Sequence, residues 1–198
     1  MQRRIGLTGG IASGKSSVGR LLEARGWPVL DADRYAREAL SPNTPASEAV
    51  AKRFGATVGS ASDLDRKALG RIVFSDSVER RWLEKLIHPV VRKRLDQELD
   101  ALRSKPVVVL MIPLLFEAGL ESLCSEIWVV NCTPEQQLAR MMQRDGLSKA
   151  EAQARLQSQW PLARKRDRAD RVIDNGGELN DLISAVNHCV QPSHGTTW

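Results

Sequence analysis

A chain of 198 residues is long enough to bury a full core, and 42% hydrophobic with 27% charged residues is the balance of a globular protein rather than a disordered or fibrous one. No apolar run approaches the roughly 20 residues that span a bilayer, and three cysteines, Cys124, Cys132 and Cys189, are odd in number and fit no zinc spacing, so they read as reduced thiols. The formal charge of +5 suits an anionic partner, whether nucleotide, phosphorylated metabolite or nucleic acid, without choosing among them.

Met1-Gln2-Arg3-Arg4 runs directly into an apolar segment, so no secretory leader and a cytoplasmic location are expected. Ile5 to Thr8 reads as a strand and Lys15 as the start of a helix. Between them Gly9-Gly10-Ile11-Ala12-Ser13-Gly14-Lys15-Ser16 fits G-x-x-x-x-G-K-[ST]. The four fixed positions would meet by chance in such a chain with odds on the order of 1%. The motif makes a phosphate cradle: glycines let backbone N–H groups turn inward, and the helix N-terminus adds positive potential. Lys15 reaches the β- and γ-phosphates, and the Ser16 hydroxyl can ligate Mg²⁺.

Val18, Leu21 and Leu22 have helical spacing, Gly26 makes a stop, and Pro28 to Leu30 is a second strand. It ends in Asp31-Ala32-Asp33, where a sheet gathers ligands. Residues two apart in an extended segment point the same way, so both carboxylates are candidates to face phosphate. The alternative is that one of them caps the helix that starts near Arg34.

Ser41 to Pro45 breaks the chain, and from there to about Arg103 the pattern is helix after helix with no convincing strand: Ala46 to Phe54, Leu64 to Phe74, and Ser77 to Leu102, with Pro89 as a kink or boundary. Such an insert suits an acceptor-binding domain. His88 is a ligand, an acid–base group or a structural hydrogen-bonder, and Arg66 reads as part of a solvated helix face. Pro106 to Ile112 and Glu126 to Val130 are strands buried on both faces of a parallel sheet. The loop Pro113 to Glu117 between them enters a short helix at a strand's carboxyl end, which makes Glu117 a site or surface residue. Neither strand ends in the Asp of a motor-type ATPase, and no Asn-Lys-x-Asp stretch supports a GTPase.

Thr133-Pro134 caps a helix from Glu135 to Gly146 that carries Arg140 and Arg144 on one face. A second helix runs from about Ser148 to Trp160, before Pro161 and Arg164-Lys165-Arg166. This pair either covers the γ-phosphate and supplies cations to it, or is a solvated basic hairpin. Ala169 to Ile173 is a last strand, Asn175-Gly176-Gly177 a turn, Leu179 to Val190 an amphipathic helix, and Gln191 to Trp198 a disordered tail.

Taken together these residues resemble the dephospho-CoA kinases, essentially end to end. The resemblance rests on Leu7-Thr8-Gly9-Gly10-Ile11-x-Ser13-Gly14-Lys15-Ser16, Asp31-Ala32-Asp33 with Ala36-Arg37, and Leu64-Asp65-Arg66 with Val73-Phe74. It continues through His88-Pro89, Pro113-Leu114-Leu115-Phe116-Glu117, Thr133-Pro134 with Gln137, Arg140 and Arg144, Lys165, and Ala169-Asp170-x-Val172-Ile173-Asp174-Asn175.

The resemblance implies an α/β fold: a P-loop kinase core with a five-stranded parallel sheet flanked by helices, a helical CoA-binding insert and a helical lid. The core takes residues 1–35, 104–134 and 168–190, the insert 36–103, the lid 135–167, and the tail 191–198. The implied activity is phosphorylation by ATP and Mg²⁺ of the ribose 3′-hydroxyl of dephospho-CoA. Asp33, Lys15 and Arg140 are the implied catalytic residues. Gly9, Gly10, Ile11, Ala12, Ser13, Gly14, Lys15, Ser16, Ser17, Arg144 and Asn175 would hold ATP, with Asn175 beside the adenine. Asp33, Arg66, His88, Leu115, Glu117 and Lys165 would hold the acceptor, and Ser16 the metal, with Asp33 acting through water.

Ala12 replaces the glycine common in such loops, which is tolerable at negative φ, Ser17 replaces the usual Thr, and Met111 stands where many members carry Asp. The rivals are another small-metabolite kinase on the same core and a nucleic-acid-associated P-loop switch. Five Trp, one Tyr and three Phe, with no basic stripe between stacking residues, speak against the second. The expected partner is a small molecule, with no nucleic acid and no membrane, for a monomer or weak homo-oligomer.

Overall fold

The computed structural model describes residues 2–191, so the expected disordered tail lies, apart from Gln191, outside the described residues. In chain order the elements are β1 (Arg3–Gly9), α1 (Lys15–Glu23), β2 (Val29–Asp31), α2 (Ala32–Ala39), α3 (Pro45–Phe54), β3 (Gly59–Ser60), β4 (Asp63–Leu64), α4 (Arg66–Ser75) and α5 (Ser77–Ala101). They continue with β5 (Val107–Met111), β6 (Glu126–Asn131), α6 (Pro134–Asp145), α7 (Lys149–Gln157), α8 (Leu162–Arg166), β7 (Arg171–Asp174) and α9 (Leu179–Val190). Two compact units result. One comprises the described residues up to Leu30 and from Arg103 onward, the other Asp31–Leu102.

The first unit carries a five-stranded sheet in the order β2-β5-β1-β6-β7, with β1 parallel to both β5 and β6, and β6 parallel to β7. The Val-rich runs of β5 and β6 are buried because helices cover the sheet. Alternation along the strands puts Ile5, Leu7, Val109, Met111, Trp128 and Val130 in one cluster with Val18 and Leu22 of α1 and Leu182 and Val186 of α9. Each such fully buried aliphatic side chain contributes about 1.5–3 kcal/mol. With β1 in the middle, the loop that follows it opens at the centre of the sheet's carboxyl edge, where α/β folds bind ligands.

α6 begins with a reciprocal capping box, Thr133 with Gln136, and Pro134 in the first turn. α7 repeats the device with Ser148 and Glu151. α7 stops at Gln157 instead of reaching Trp160. Pro161, which lacks an N–H and cannot continue a helix, stands at the N-cap of the short α8, which the sequence pattern does not announce. The segment after β5 is a run of turns ending in a 3₁₀ turn, Glu121–Leu123, not the expected short α-helix.

The second unit is helical, with one correction: a two-stranded antiparallel hairpin pairs Gly59 with Leu64 and Ser60 with Asp63. Strands of two residues are too short to leave a period-two pattern. Leu64 therefore belongs to β4, and α4 starts at Arg66 because the Asp65 carboxylate accepts from Lys67 N and Ala68 N. Those bonds hold the Asp65 carboxyl below its ordinary range, the one from Ala68 most of all. α5 runs on through Pro89 rather than ending there. The proline removes one helix donor, and Lys85, whose carbonyl loses its partner, sits on the exposed side where water replaces it. Val50, Val58, Ala68, Leu69 and Val73 form the core of this unit, with Phe54 edge-on to Trp82 at 5.6 Å.

Candidate active site

The phosphate loop is built where β1 leaves the sheet. Gly14 sits at φ +98, a left-handed conformation that favours glycine, and a Cβ there would collide with Asn175 Nδ2. A Cβ at Gly10 would collide with Gln137 Nε2. The loop is thus shaped by side chains that approach its backbone.

Those side chains take its carbonyls. Gln137, 1% exposed, donates from Nε2 to Ile11 O at 2.6 Å, and Asn175 donates from Nδ2 to Ser13 O at 2.7 Å. Arg140 donates to Asn175 O at 2.7 Å and reaches Ala12 O at 3.5 Å. In a trans peptide the N–H points opposite to the preceding C=O. Tethering the Ile11 and Ser13 carbonyls therefore turns the Ala12 and Gly14 N–H groups the other way, into the loop. Lys15 folds its ammonium back over the loop, 2.9 Å from Gly10 O and 3.4 Å from Gly9 O.

α1 starts at this loop with no side-chain cap and no acidic residue in its first turn, whereas α2 to α7 each begin with a side-chain oxygen on a backbone N–H. Ser13 Oγ is buried beside it with no hydrogen-bond partner among the described residues. An uncapped helix N-terminus, a cradle of turned N–H groups and a lysine at its rim fit a polyphosphate. Cys132, at the end of β6, has its thiol pushed up by burial, with Arg140 and Lys15 pulling the other way, and Cys124 is pushed up to about 12. At both cysteines burial disfavours the thiolate, which is the nucleophilic form.

The condition under which alanine is tolerable at position 12, a negative φ, is not met: Ala12 lies at φ +56. Asp31 is the cap that the alternative reading allowed, its Oδ1 accepting from Asp33 N at 2.9 Å and Arg34 N at 3.3 Å. Asp33 then lies in the first turn of α2, so strand alternation does not relate it to Asp31. Met111 is a core side chain, its sulfur packed against Gly19 of α1.

The remaining expected residues separate into groups. Ser16 is exposed at the start of α1. Arg144 pairs with Asp145 at 2.7 Å at the far end of α6, away from the carbonyl contacts that Arg140 makes. In the other unit, Arg66 donates to the carbonyls of Arg37 and Leu40 at the end of α2, and His88 is exposed on α5. Leu115 and Lys165 have no exposed surface: Leu115 packs against Gly6, and Lys165 Nζ lies 2.8 Å from Glu117 Oε1 and 3.0 Å from Pro113 O. Neither offers surface to a ligand in this arrangement. Burial pushes the Lys165 ammonium below its ordinary range and Glu117 opposes the shift.

Sequence reasoning assigned no role to Gln137 and missed Gln159, whose Oε1 accepts from Ile11 N at 3.0 Å. Gln137 had a signal, one turn before Arg140 on the same helix face. Gln159, between two helices, had none. A cavity of about 860 Å³ opens beside Gly10, Gln137 and Trp160.

A family model described as dephospho-CoA kinase matches residues 3–181. A curated dephospho-CoA kinase of Parasynechococcus marenigrum (strain WH8102) is 76% identical over the full length of both chains. Among solved structures, a protein from Thermus thermophilus superposes with a TM-score of 0.79 at 41% identity, covering 96% of this chain and 99% of that one. The dephospho-CoA kinase from Campylobacter jejuni superposes at 0.69 with 30% identity, covering 96% of each. A phosphate loop on a parallel sheet, with likeness of this extent, places the chain in the dephospho-CoA kinase family.

Proposed function

We propose that the protein transfers the γ-phosphoryl group of ATP to the ribose 3′-hydroxyl of dephospho-CoA, giving coenzyme A and ADP. The observation that carries the reading is the α1 N-terminus, left without a cap inside a loop whose carbonyls are held away. Phosphoryl transfer passes through a loose transition state, so the protein has mainly to position and neutralise. In this reading Lys15 swings from the Gly9 and Gly10 carbonyls onto the phosphates, and the loop N–H groups and helix dipole hold the β-phosphate. Arg140, fixed on the Asn175 carbonyl, and Arg144, on an α6–α8 segment acting as a lid, bring positive charge to the transferred group.

Mg²⁺, when bound, neutralises the phosphate oxygens that gain charge. Ser16 Oγ would hold it, because no group of three or more His, Cys, Asp or Glu suited to a metal occurs among the described residues, and Mg²⁺ needs few protein ligands beside phosphate and water. The reading assigns the acceptor hydroxyl's proton to Asp33 and acceptor contacts to Arg66 and His88 of the helical unit. No described helix is long and apolar enough to cross a membrane. The working form is a cytoplasmic monomer or weak homo-oligomer that needs no nucleic acid. Purified protein with MgATP should release ADP on addition of dephospho-CoA and ignore shikimate, nucleoside monophosphates and pantetheine. Turnover of one of those, with none on dephospho-CoA, would sink the reading.

A further inference from the structure

Ala12 holds a left-handed backbone, φ +56, in the middle of the phosphate loop. Non-glycine residues keep such a conformation only where their surroundings over-determine it. The torsions of Ala12 lie between the Ile11–Ala12 and Ala12–Ser13 peptides. The second donates Ser13 N to Gly10 O at 3.2 Å, and that carbonyl shares its peptide with Ile11 N. Gln137 from α6 donates to Ile11 O at 2.6 Å, and Gln159 accepts from Ile11 N at 3.0 Å.

Gln159 is itself anchored. The next residue, Trp160, donates its backbone N–H to Glu117 Oε1 at 3.0 Å. Its ring lies parallel to Phe116, centroids 6.1 Å apart and planes at 1°, while the Arg164 guanidinium sits 3.4 Å from its centroid. Glu117 Oε1 is fixed in turn by the fully buried Lys165, whose ammonium also donates to Pro113 O, and Thr8 Oγ1 donates to that same carbonyl at 3.1 Å. The α7–α8 connection is therefore bolted to the loop after β5, at a height set by a buried ion pair, and one side chain of that connection reaches the phosphate loop.

We propose that Gln159 is a positioning residue for nucleotide binding: held by the Glu117–Lys165 pair through Trp160, it clamps Ile11 with Gln137 and so keeps Ala12 in the left-handed conformation that shapes the phosphate cradle. Glu117 and Lys165 then act on the reaction through the loop, without touching the acceptor. The proposal rests on the reading of this loop as the ATP site. Its distinguishing consequence is that Gln159 matters because residue 12 is alanine. Glycine reaches the left-handed region without help, so a loop with glycine at 12 needs the clamp less.

A double-mutant cycle tests this in the full-length protein, with Gln159→Ala, Ala12→Gly and the combination. The direct readout is the dissociation constant of MgADP by titration without acceptor, which is independent of the identity of the acceptor. The second is KM for ATP against kcat with dephospho-CoA. Loss of one hydrogen bond that shapes the site should weaken MgADP binding about tenfold in the Ala12 protein and raise KM for ATP alike, with kcat within about threefold. In the Ala12→Gly protein the same change should cost less than about threefold. Equal losses in both backgrounds, or no loss with Ala12, would overturn the proposal. If all four proteins bind MgADP yet none phosphorylates dephospho-CoA, the proposed function fails while the cycle still decides the clamp. Lys165→Met paired with Glu117→Leu, which leaves no lone buried charge, should reproduce the Gln159→Ala loss. Wild-type affinity in that double variant would remove the ion pair from the argument.

Discussion

Helices α1 and α6 both start just past a strand of the same sheet, and they treat their first turns in opposite ways. α6 closes its own N-terminus: Thr133 accepts from Gln136 N, Gln136 returns the bond to Thr133 N, and Pro134 has no N–H to leave unpaired. α1 begins at a left-handed Gly14 with no side-chain acceptor and no acid in its first turn. The two dipoles are alike, so the difference lies in which end is left for a ligand. A helix built for stability brings its own cap, and one built to bind an anion leaves that place to the anion.

The comparison breaks most sharply at the rim of the α1 loop. Lys15→Ala is expected to lower kcat with dephospho-CoA by about 10²–10³-fold, since a positioned cation in a dry site supplies several kcal/mol of transition-state stabilisation. Near wild-type turnover would place the ATP site elsewhere. α2 extends the contrast, because its cap Asp31 and its first-turn Asp33 lie two residues apart. Asp33→Asn should lose about 10²-fold or more in single-turnover rate while still binding both substrates, as expected for a group that takes a proton. Asp31→Asn, which retains a capping oxygen, should stay close to wild type. A fast Asp33→Asn beside a dead Asp31→Asn would reverse the roles.

Giving α1 the acid it lacks sharpens the same point. Ser17→Asp, in the first turn, should stabilise the ligand-free protein by about 0.5 kcal/mol through the dipole while weakening MgATP binding tenfold or more. A variant that melts higher and binds ATP equally well would show that this N-terminus does not meet the phosphates. The converse change belongs at α6: Thr133→Ala should cost about 1 kcal/mol in denaturant unfolding and leave ATP affinity untouched. The smallest effect is at Ala12. Relief of left-handed strain, set against the extra freedom of glycine in the unfolded chain, leaves Ala12→Gly more stable by about 0.5 kcal/mol, measurable as a small rise in Tm. A lower Tm would mean that the alanine is not strained.

What was legible in the sequence were features written in neighbouring residues. The phosphate loop, the Thr133-Pro134 start of α6 and the bounds of α9 depend on local backbone chemistry, and the strands β5 and β6 on short apolar runs. Asp31 as a cap was legible as an alternative, because capping is decided within three residues. Of the two readings of Pro89, kink or boundary, the boundary fails, because the cost of a proline inside a helix depends on whether the stranded carbonyl is wet, and that is a property of the packed surface.

The sequence by itself determined that this chain forms a β-strand, a phosphate cradle and a helix in that order, on a parallel sheet, with a later helix whose Thr133-Pro134 start carries its own cap. Tertiary structure alone decided how the cradle is held. Gln137, Gln159 and Asn175 reach Ile11 and Ser13 across 126, 148 and 162 residues of chain. Lys165 finds Glu117 across a fold that hides it completely, and Ala12 takes a backbone that its own side chain disfavours. The reason is physical: propensities and caps act over one helical turn. A buried ion pair or a strained φ is stable only when distant segments supply the partners, and nothing in the local order of residues records which segments those are.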